Sequence, residues 1–153
     1  MRCSLIKRPL QASVLVIALF ISAQAMEARK FGVGFMAGAP TGISFKYWLN
    51  GINALTGGFS LGSDAGLQLN YLWHDFAAIR VTDGRLPVHY GFGAQVQNER
   101  YHGSIGLRGV LGLTYMFERS PFDAYVELAP LLWMGDNPGF WLTASFGARY
   151  FFQ

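Results

Sequence analysis

Residues 141–152 alternate with period two almost without error. Leu142, Ala144, Phe146, Ala148, Tyr150 and Phe152 form one set, all apolar or aromatic. The interleaved set is Trp141, Thr143, Ser145, Gly147, Arg149 and Phe151, small or polar in four of six places and carrying a charge. Period two puts these sets on opposite faces of a β-strand. In a half-buried sheet the apolar face meets a core and the polar face meets water. A membrane-spanning barrel inverts this arrangement, with apolar side chains on lipid and polar ones in the lumen. The segment alone does not choose, so the rest of the chain has to.

The N-terminal end bears on that choice. Arg2, Lys7 and Arg8 precede a run from Ala12 to Ile21 that is apolar apart from Ser13, and Ala23-Gln24-Ala25 is a small-x-small site. That layout predicts a secretory signal peptide over residues 1–25, because the run is too short for a helix crossing about 30 Å of hydrocarbon. Cys3, the single cysteine, precedes the run, so it is no lipoprotein attachment site. The processed chain would hold no disulfide, thiol nucleophile or cysteine metal site. Arg2, Lys7 and Arg8 are three of twelve basic residues against nine acidic ones. Residues 26–153 are therefore neutral overall, and the basic balance of the chain points to no nucleic-acid partner. Those residues make one domain, rich in aromatics, holding all nineteen glycines and lacking any apolar run long enough for a membrane helix.

Eight strands fit this domain, at about 30–38, 42–49, 53–61, 65–73, 88–97, 103–116, 122–133 and 140–152. Turn residues separate them: Ala39-Pro40-Thr41, Asn50-Gly51, Gly62-Ser63-Asp64, Asn98-Glu99-Arg100, Ser120-Pro121 and Gly135-Asp136-Asn137-Pro138. The phase of each strand then separates two architectures. Ile43, Phe45, Tyr47 and Leu49 oppose Gly42, Ser44, Lys46 and Trp48; Leu67, Leu69, Tyr71 and Trp73 oppose Gly66, Gln68, Asn70 and Leu72. The later strands repeat the pattern, and every mid-strand charge falls on the polar face. A lipocalin-like binding barrel in the periplasm would have a greasy inside and a charged outside. Here the greasy face is nearly uncharged and edged by Tyr47, Tyr71, Trp73, Tyr115 and Tyr150, as an interfacial aromatic belt would be. The predicted fold class is all-β, an eight-stranded antiparallel up-and-down transmembrane barrel.

Several stretches carry a family resemblance. They are Gly38-Ala39-Pro40-Thr41-Gly42 leading into Lys46-Tyr47-Trp48, then Tyr71-Leu72-Trp73-His74, Glu127-Leu128-Ala129-Pro130 and Gly147-Ala148-Arg149-Tyr150-Phe151-Phe152. Over the whole processed chain, the sequence resembles the small eight-stranded bacterial outer-membrane barrels exemplified by OmpX and the membrane domain of OmpA, and within them a compact, poorly characterised family. The resemblance implies an outer-membrane location, contact with membrane lipid and lipopolysaccharide, and folding by the barrel-assembly machinery. It also implies that Tyr150 and Phe152 belong to the aromatic C-terminal signal read during assembly. That signal usually ends on Phe or Trp, whereas this chain ends Phe152-Gln153.

Side chains fill the interior of an eight-stranded barrel. Folding the strands about their turns sets Asp123 near Arg149, Lys46 opposite Gly34, and Arg108 opposite Gly91 or Gly93 with Glu127 diagonal to it. The expected lumen is a network of Lys46, Arg108 and Arg149 with Asp123 and Glu127; solvated charges around a narrow water channel are the alternative. Pro130 inside the seventh strand predicts a bulge or an early strand end. The connection from His74 to Pro87 predicts either an extra short strand near 77–81 or a loop folded on the barrel mouth, with His74 and Asp75 in a solvated loop.

Other motifs weigh little. Gly32-Val33-Gly34 resembles a dinucleotide loop, but Pro40 blocks the helix such a loop needs. His102 and Ser104 share a strand face and could pair as base and nucleophile, as in lipid A-deacylating barrels. The Asn and Gly that usually follow that Ser are replaced here by Ile105 and Gly106. Three histidines on separate segments give no metal spacing. The expectation is a monomeric barrel with a structural or interaction role, no catalysis and no cofactor; a narrow pore, a lipid A-modifying enzyme and a soluble binding barrel follow in that order. N-terminal sequencing of the exported protein is expected to begin at Met26.

Overall fold

The computed structural model describes residues 30–61, 65–99, 102–135 and 138–152. They form eight strands: β1 (Phe31–Gly38), β2 (Gly42–Trp48), β3 (Asn53–Ser60), β4 (Gly66–Asp75), β5 (Val88–Glu99), β6 (His102–Met116), β7 (Phe122–Met134) and β8 (Gly139–Phe151). Each pairs antiparallel with its sequence neighbour, and β1 pairs with β8 to close the barrel. Every expected strand is present, with ends shifted by two residues or fewer. The signal peptide expected over residues 1–25 lies outside the described residues.

The alternation sets the two sides of the wall. Outside stand Phe35, Leu69, Phe92, Leu107, Leu111 and Phe146, each more than half exposed. Inside stand Lys46, Asn70, Arg108, Asp123, Glu127 and Arg149, each buried. Between the rims, the described outer wall carries no charged side chain. The strands differ in length, from seven and eight residues in β2 and β1 to fifteen in β6 and thirteen in β7 and β8.

Closure at this radius depends on glycines. A Cβ at Gly34, in the β1–β8 seam, would run into the Ala148 carbonyl and lie 2.6 Å from Arg149 Cα. One at Gly112 would lie 2.6 Å from His89 Nε2. The missing side chains let the backbones approach and leave room for the long polar groups within.

Three expectations are corrected. Lys46 lies opposite Gly32, and Gly34 faces Ser44 and Arg149 instead. The turn is centred on Ala39, because Thr41 Oγ1 accepts from Gly38 N (3.2 Å) and donates to Gly38 O (3.0 Å). Gly38 there has φ +114°, which favours glycine. Pro130 causes neither a bulge nor a strand end: the β6–β7 register is the same on both sides of it, from Leu111↔Leu128 to Arg108↔Leu131. Its ring lies on the outer wall over Gly109, where an added Cβ would be 3.0 Å from Pro130 Cγ. Finally, β4 runs on to Asp75, so His74 is a buried strand residue and not part of a solvated loop.

Of the two readings of the β4–β5 connection, the loop folded on the mouth is the one present. Residues 77–81 form no strand. Arg85 exchanges both backbone hydrogen bonds with Met116 (3.0 and 2.8 Å), and Tyr115 Oη donates to the Asp83 carbonyl (3.1 Å). Phe76 packs with Met116 on a small core of Trp48, Ala54 and Phe151 that floors the barrel at the end holding residues 30 and 152.

Gly34→Ala should weaken the seam by about 1–3 kcal/mol, as overpacking does elsewhere. Gly51→Ala, with nothing within 4 Å of the new Cβ, should not. Urea midpoints of the two detergent-refolded variants measure the difference.

Candidate functional site

The lumen holds the polar chemistry of this chain. Its phase follows from the strands: even-numbered positions of β2, β4 and β6 and odd-numbered positions of β5, β7 and β8 point inward. The five charged residues named from sequence are all 4% exposed or less.

Asp123 is the hub of one cluster. Arg149, its register partner on β8, donates to it through Nε (2.9 Å) and Nη2 (3.1 Å), a two-pronged charge-assisted contact. Lys46 Nζ stands 3.7 Å from the second carboxylate oxygen. The two cations also lie over rings, Lys46 4.2 Å from the Trp48 centroid and Arg149 4.0 Å from that of Tyr125.

Glu127 is the hub of the other. Its Oε1 accepts from His89 Nε2 (3.2 Å), and Oε2 lies 3.8 Å from Arg108 Nη2. Arg108 Nη1 donates to Gln95 Oε1 (3.3 Å). The partners fix both imidazoles. His89 donates from Nε2 to a carboxylate, so Nδ1 accepts from Thr114 Oγ1 (2.9 Å). His74 Nδ1 donates to the Ile52 carbonyl (3.2 Å), so Nε2 accepts from Lys46 Nζ (2.9 Å). The two rings are 5.5 Å apart and join the clusters.

Neither histidine belongs to the network expected from the sequence. Strand parity does put His89 on the polar face of the fifth strand, and the same parity carried past residue 73 reaches His74, which continues the series Gln68, Asn70, Leu72. Three cations face two carboxylates here, with Gln68 Oε1, Asn70 Oδ1 and two Arg108 nitrogens hydrogen-bonded to no protein group. Water-excluded charges cost heavily unless paired, so the ion pairs and the barrel depend on one another.

Outside, Tyr47, Tyr71, Trp73, Tyr115 and Tyr150 all lie toward the end of the barrel that holds residues 30 and 152. They belong to a larger ring. Trp73 packs on Tyr71 (4.7 Å), Tyr90 (6.2 Å) and Phe92 (5.8 Å), and Tyr115 on Phe117 (4.8 Å). Tyr150 packs on Phe122 (5.1 Å) and Phe152 (5.4 Å), and Phe152 stacks on Phe31 (6.2 Å). Asn53 Nδ2 donates to Tyr71 Oη beside it. Alternation already puts Tyr90, Phe92, Phe122 and Phe152 on the apolar face, whereas Phe31 begins its strand and Phe117 lies just past the end of β6, where alternation gives no phase. Of the pair His102 and Ser104, only the Ser104 side chain is among those described; it sits half-buried at the opposite rim, facing Gln97.

No protein-family model and no curated protein matches this sequence. The structure is similar to the crystal structure of the N-terminal β-barrel domain of Pseudomonas aeruginosa OprF, with a TM-score of 0.52 over 82% of this chain and 99% of that domain. The chain has the fold of that barrel domain. Identity between the two is 18%, so the likeness lies in the architecture of an eight-stranded antiparallel barrel and not in its side chains.

Glu127→Gln leaves Arg108 without its anion in a desolvated layer. It should lower stability by about 3–5 kcal/mol, the range for breaking a buried pair, against about 0–1 for a solvated one. The denaturant midpoint decides between these values, and an unchanged midpoint would mean a hydrated lumen.

Proposed function

We propose that this chain is a monomeric outer-membrane barrel with a side-chain-filled lumen, serving a structural or interaction role without catalysis. One observation carries the reading: the wall is apolar outside and the buried charges are all inside. A water-exposed barrel with this wall would present a continuous apolar surface to solvent, which single folded proteins rarely do. In a bilayer the same surface is matched to its surroundings, and closure leaves no unpaired strand edge. The aromatic ring around one rim suits the boundary between lipid and water. The fold shared with the OprF barrel domain supports the same placement.

On this reading the outer wall contacts membrane lipid and, in the outer leaflet, lipopolysaccharide. Residues 1–25 direct export through the general secretory route. Tyr150 and Phe152, packed edge to face at the end of β8, present the aromatic signal to the assembly machinery. The terminal ring and the floored mouth then face the periplasm, while the short connections β1–β2, β3–β4, β5–β6 and β7–β8 face outward. The plug of Lys46, Arg149, Asp123, His89, Glu127 and Arg108 occupies the cross-section that a pore would need. Neither His102 nor Ser104 is assigned a chemical role.

Isolated outer membranes should contain the protein, and its band should shift between cold and boiled detergent samples. Reconstituted into planar bilayers, it should give no discrete conductance steps. A soluble periplasmic protein with no gel shift would overturn the membrane reading; regular steps would replace the plug with a pore.

A further inference from the structure

At the end opposite its aromatic rim the barrel holds a cavity of about 430 Å³, lined by Gln95, Gln97, Thr143, Leu131, Trp133 and Trp141 among others, with no charged side chain among the described residues that line it. That volume is in the range of small-molecule sites, about 300–1,000 Å³. We propose that this vestibule binds a neutral sugar of one or two rings.

The two indoles supply the first half of the argument. Trp133 stands across from Gly139 and Trp141 across from Leu131 on the adjoining strands β7 and β8. Trp141 is 64% exposed although its strand position faces the lumen side, so a large flat ring is presented at the opening. On the other flank, Gly106 leaves space for Trp133, since a Cβ at 106 would lie 2.9 Å from its Cε3. A sugar ring has an apolar face of C–H groups that packs on such a surface, while its hydroxyls lie in the ring plane and point to the sides.

The floor supplies the second half. Gln95 of β5 and Thr143 of β8 both line the cavity. Arg108 Nη1 holds Gln95 Oε1, so the NH2 group is what Gln95 has left to offer. Thr143 Oγ1 donates its hydrogen to the Ala129 carbonyl (2.9 Å), so the oxygen's lone pairs are what it has left to offer. The amide therefore offers donors and the hydroxyl an acceptor. A hydroxyl both donates and accepts, and it satisfies this pair where an anion or a cation satisfies only half.

Arg108 itself is 2% exposed and already faces Glu127, which argues against an anionic ligand. The inference does not depend on where the barrel resides, since it concerns the cavity alone.

The test uses the full processed protein, refolded in an amine-oxide detergent whose headgroup is not a sugar. Maltose, lactose and, as an anionic probe, citrate are titrated by calorimetry. At least one disaccharide should bind saturably in the millimolar range and citrate should not. Trp141→Ala should weaken that binding about tenfold and Trp141→Phe by less than about threefold, a difference of free energy that calorimetry resolves. Both variants change an exposed side chain, and the cold-gel shift verifies that each still folds. No saturation with either sugar below about 100 mM, or an unchanged affinity in Trp141→Ala, would overturn the proposal. So would tighter binding of citrate than of sugar.

Discussion

The carboxylate of Asp123 holds the rest of the structure to one register. It sits on β7, receives two hydrogen bonds from Arg149 on β8 and faces Lys46 on β2. Between β8 and β2 lies only β1, the strand that closes the barrel. The three charges therefore span the seam from within. In lipid an apolar outer wall has little to gain by changing its neighbours, so the outer face does not by itself select one closed form. The inner face does. A slip of one residue would turn Lys46, Arg149 or Asp123 outward, leaving an unpaired charge in an apolar setting.

The two histidines extend this logic. Each bridges an ionic group and a neutral one: Lys46 and the Ile52 carbonyl for His74, Glu127 and Thr114 for His89. They convert two local ion pairs into a connected layer across the lumen. Below that layer lies an apolar floor of Trp48, Ala54 and Phe151, and above it the described inward side chains are uncharged. Polarity inside the barrel is thus graded along its axis.

Much of this was legible in the chain. Alternation fixed which residues face inward, because a period of two has only one alternative phase and that phase would have put Lys46 and Glu127 outside. The Asp123–Arg149 pair followed from folding β7 on β8 about a turn rich in Gly, Asp and Pro. What escaped had specific causes. Lys46 lies two residues from the place a turn centred on Pro40 would give it, because the first turn is centred on Ala39, with Thr41 bridging the N–H and C=O of Gly38. His74 was assigned to a loop because the fourth strand was ended one turn of alternation early. Pro130 was taken as a breaker, since its accommodation depends on Gly109 of the neighbouring strand, a pairing no local rule contains. The vestibule was invisible because it arises from five strands at once.

The strands are unequal, and this has a mechanical consequence. At about 3.3 Å per residue and a tilt of about 40°, a seven-residue strand rises only about 18 Å along the barrel axis, against roughly 33 Å for thirteen residues. β1, β2 and β3 form one flank with seven or eight residues each, and β6, β7 and β8 form the other with thirteen to fifteen. A bilayer around such a body meets a tall side and a low side. Hydrophobic mismatch would be relieved by leaning the barrel or by thinning the leaflet beside the low flank. The cylinder would then act as a wedge, giving the surrounding lipid a direction that a symmetric barrel does not impose.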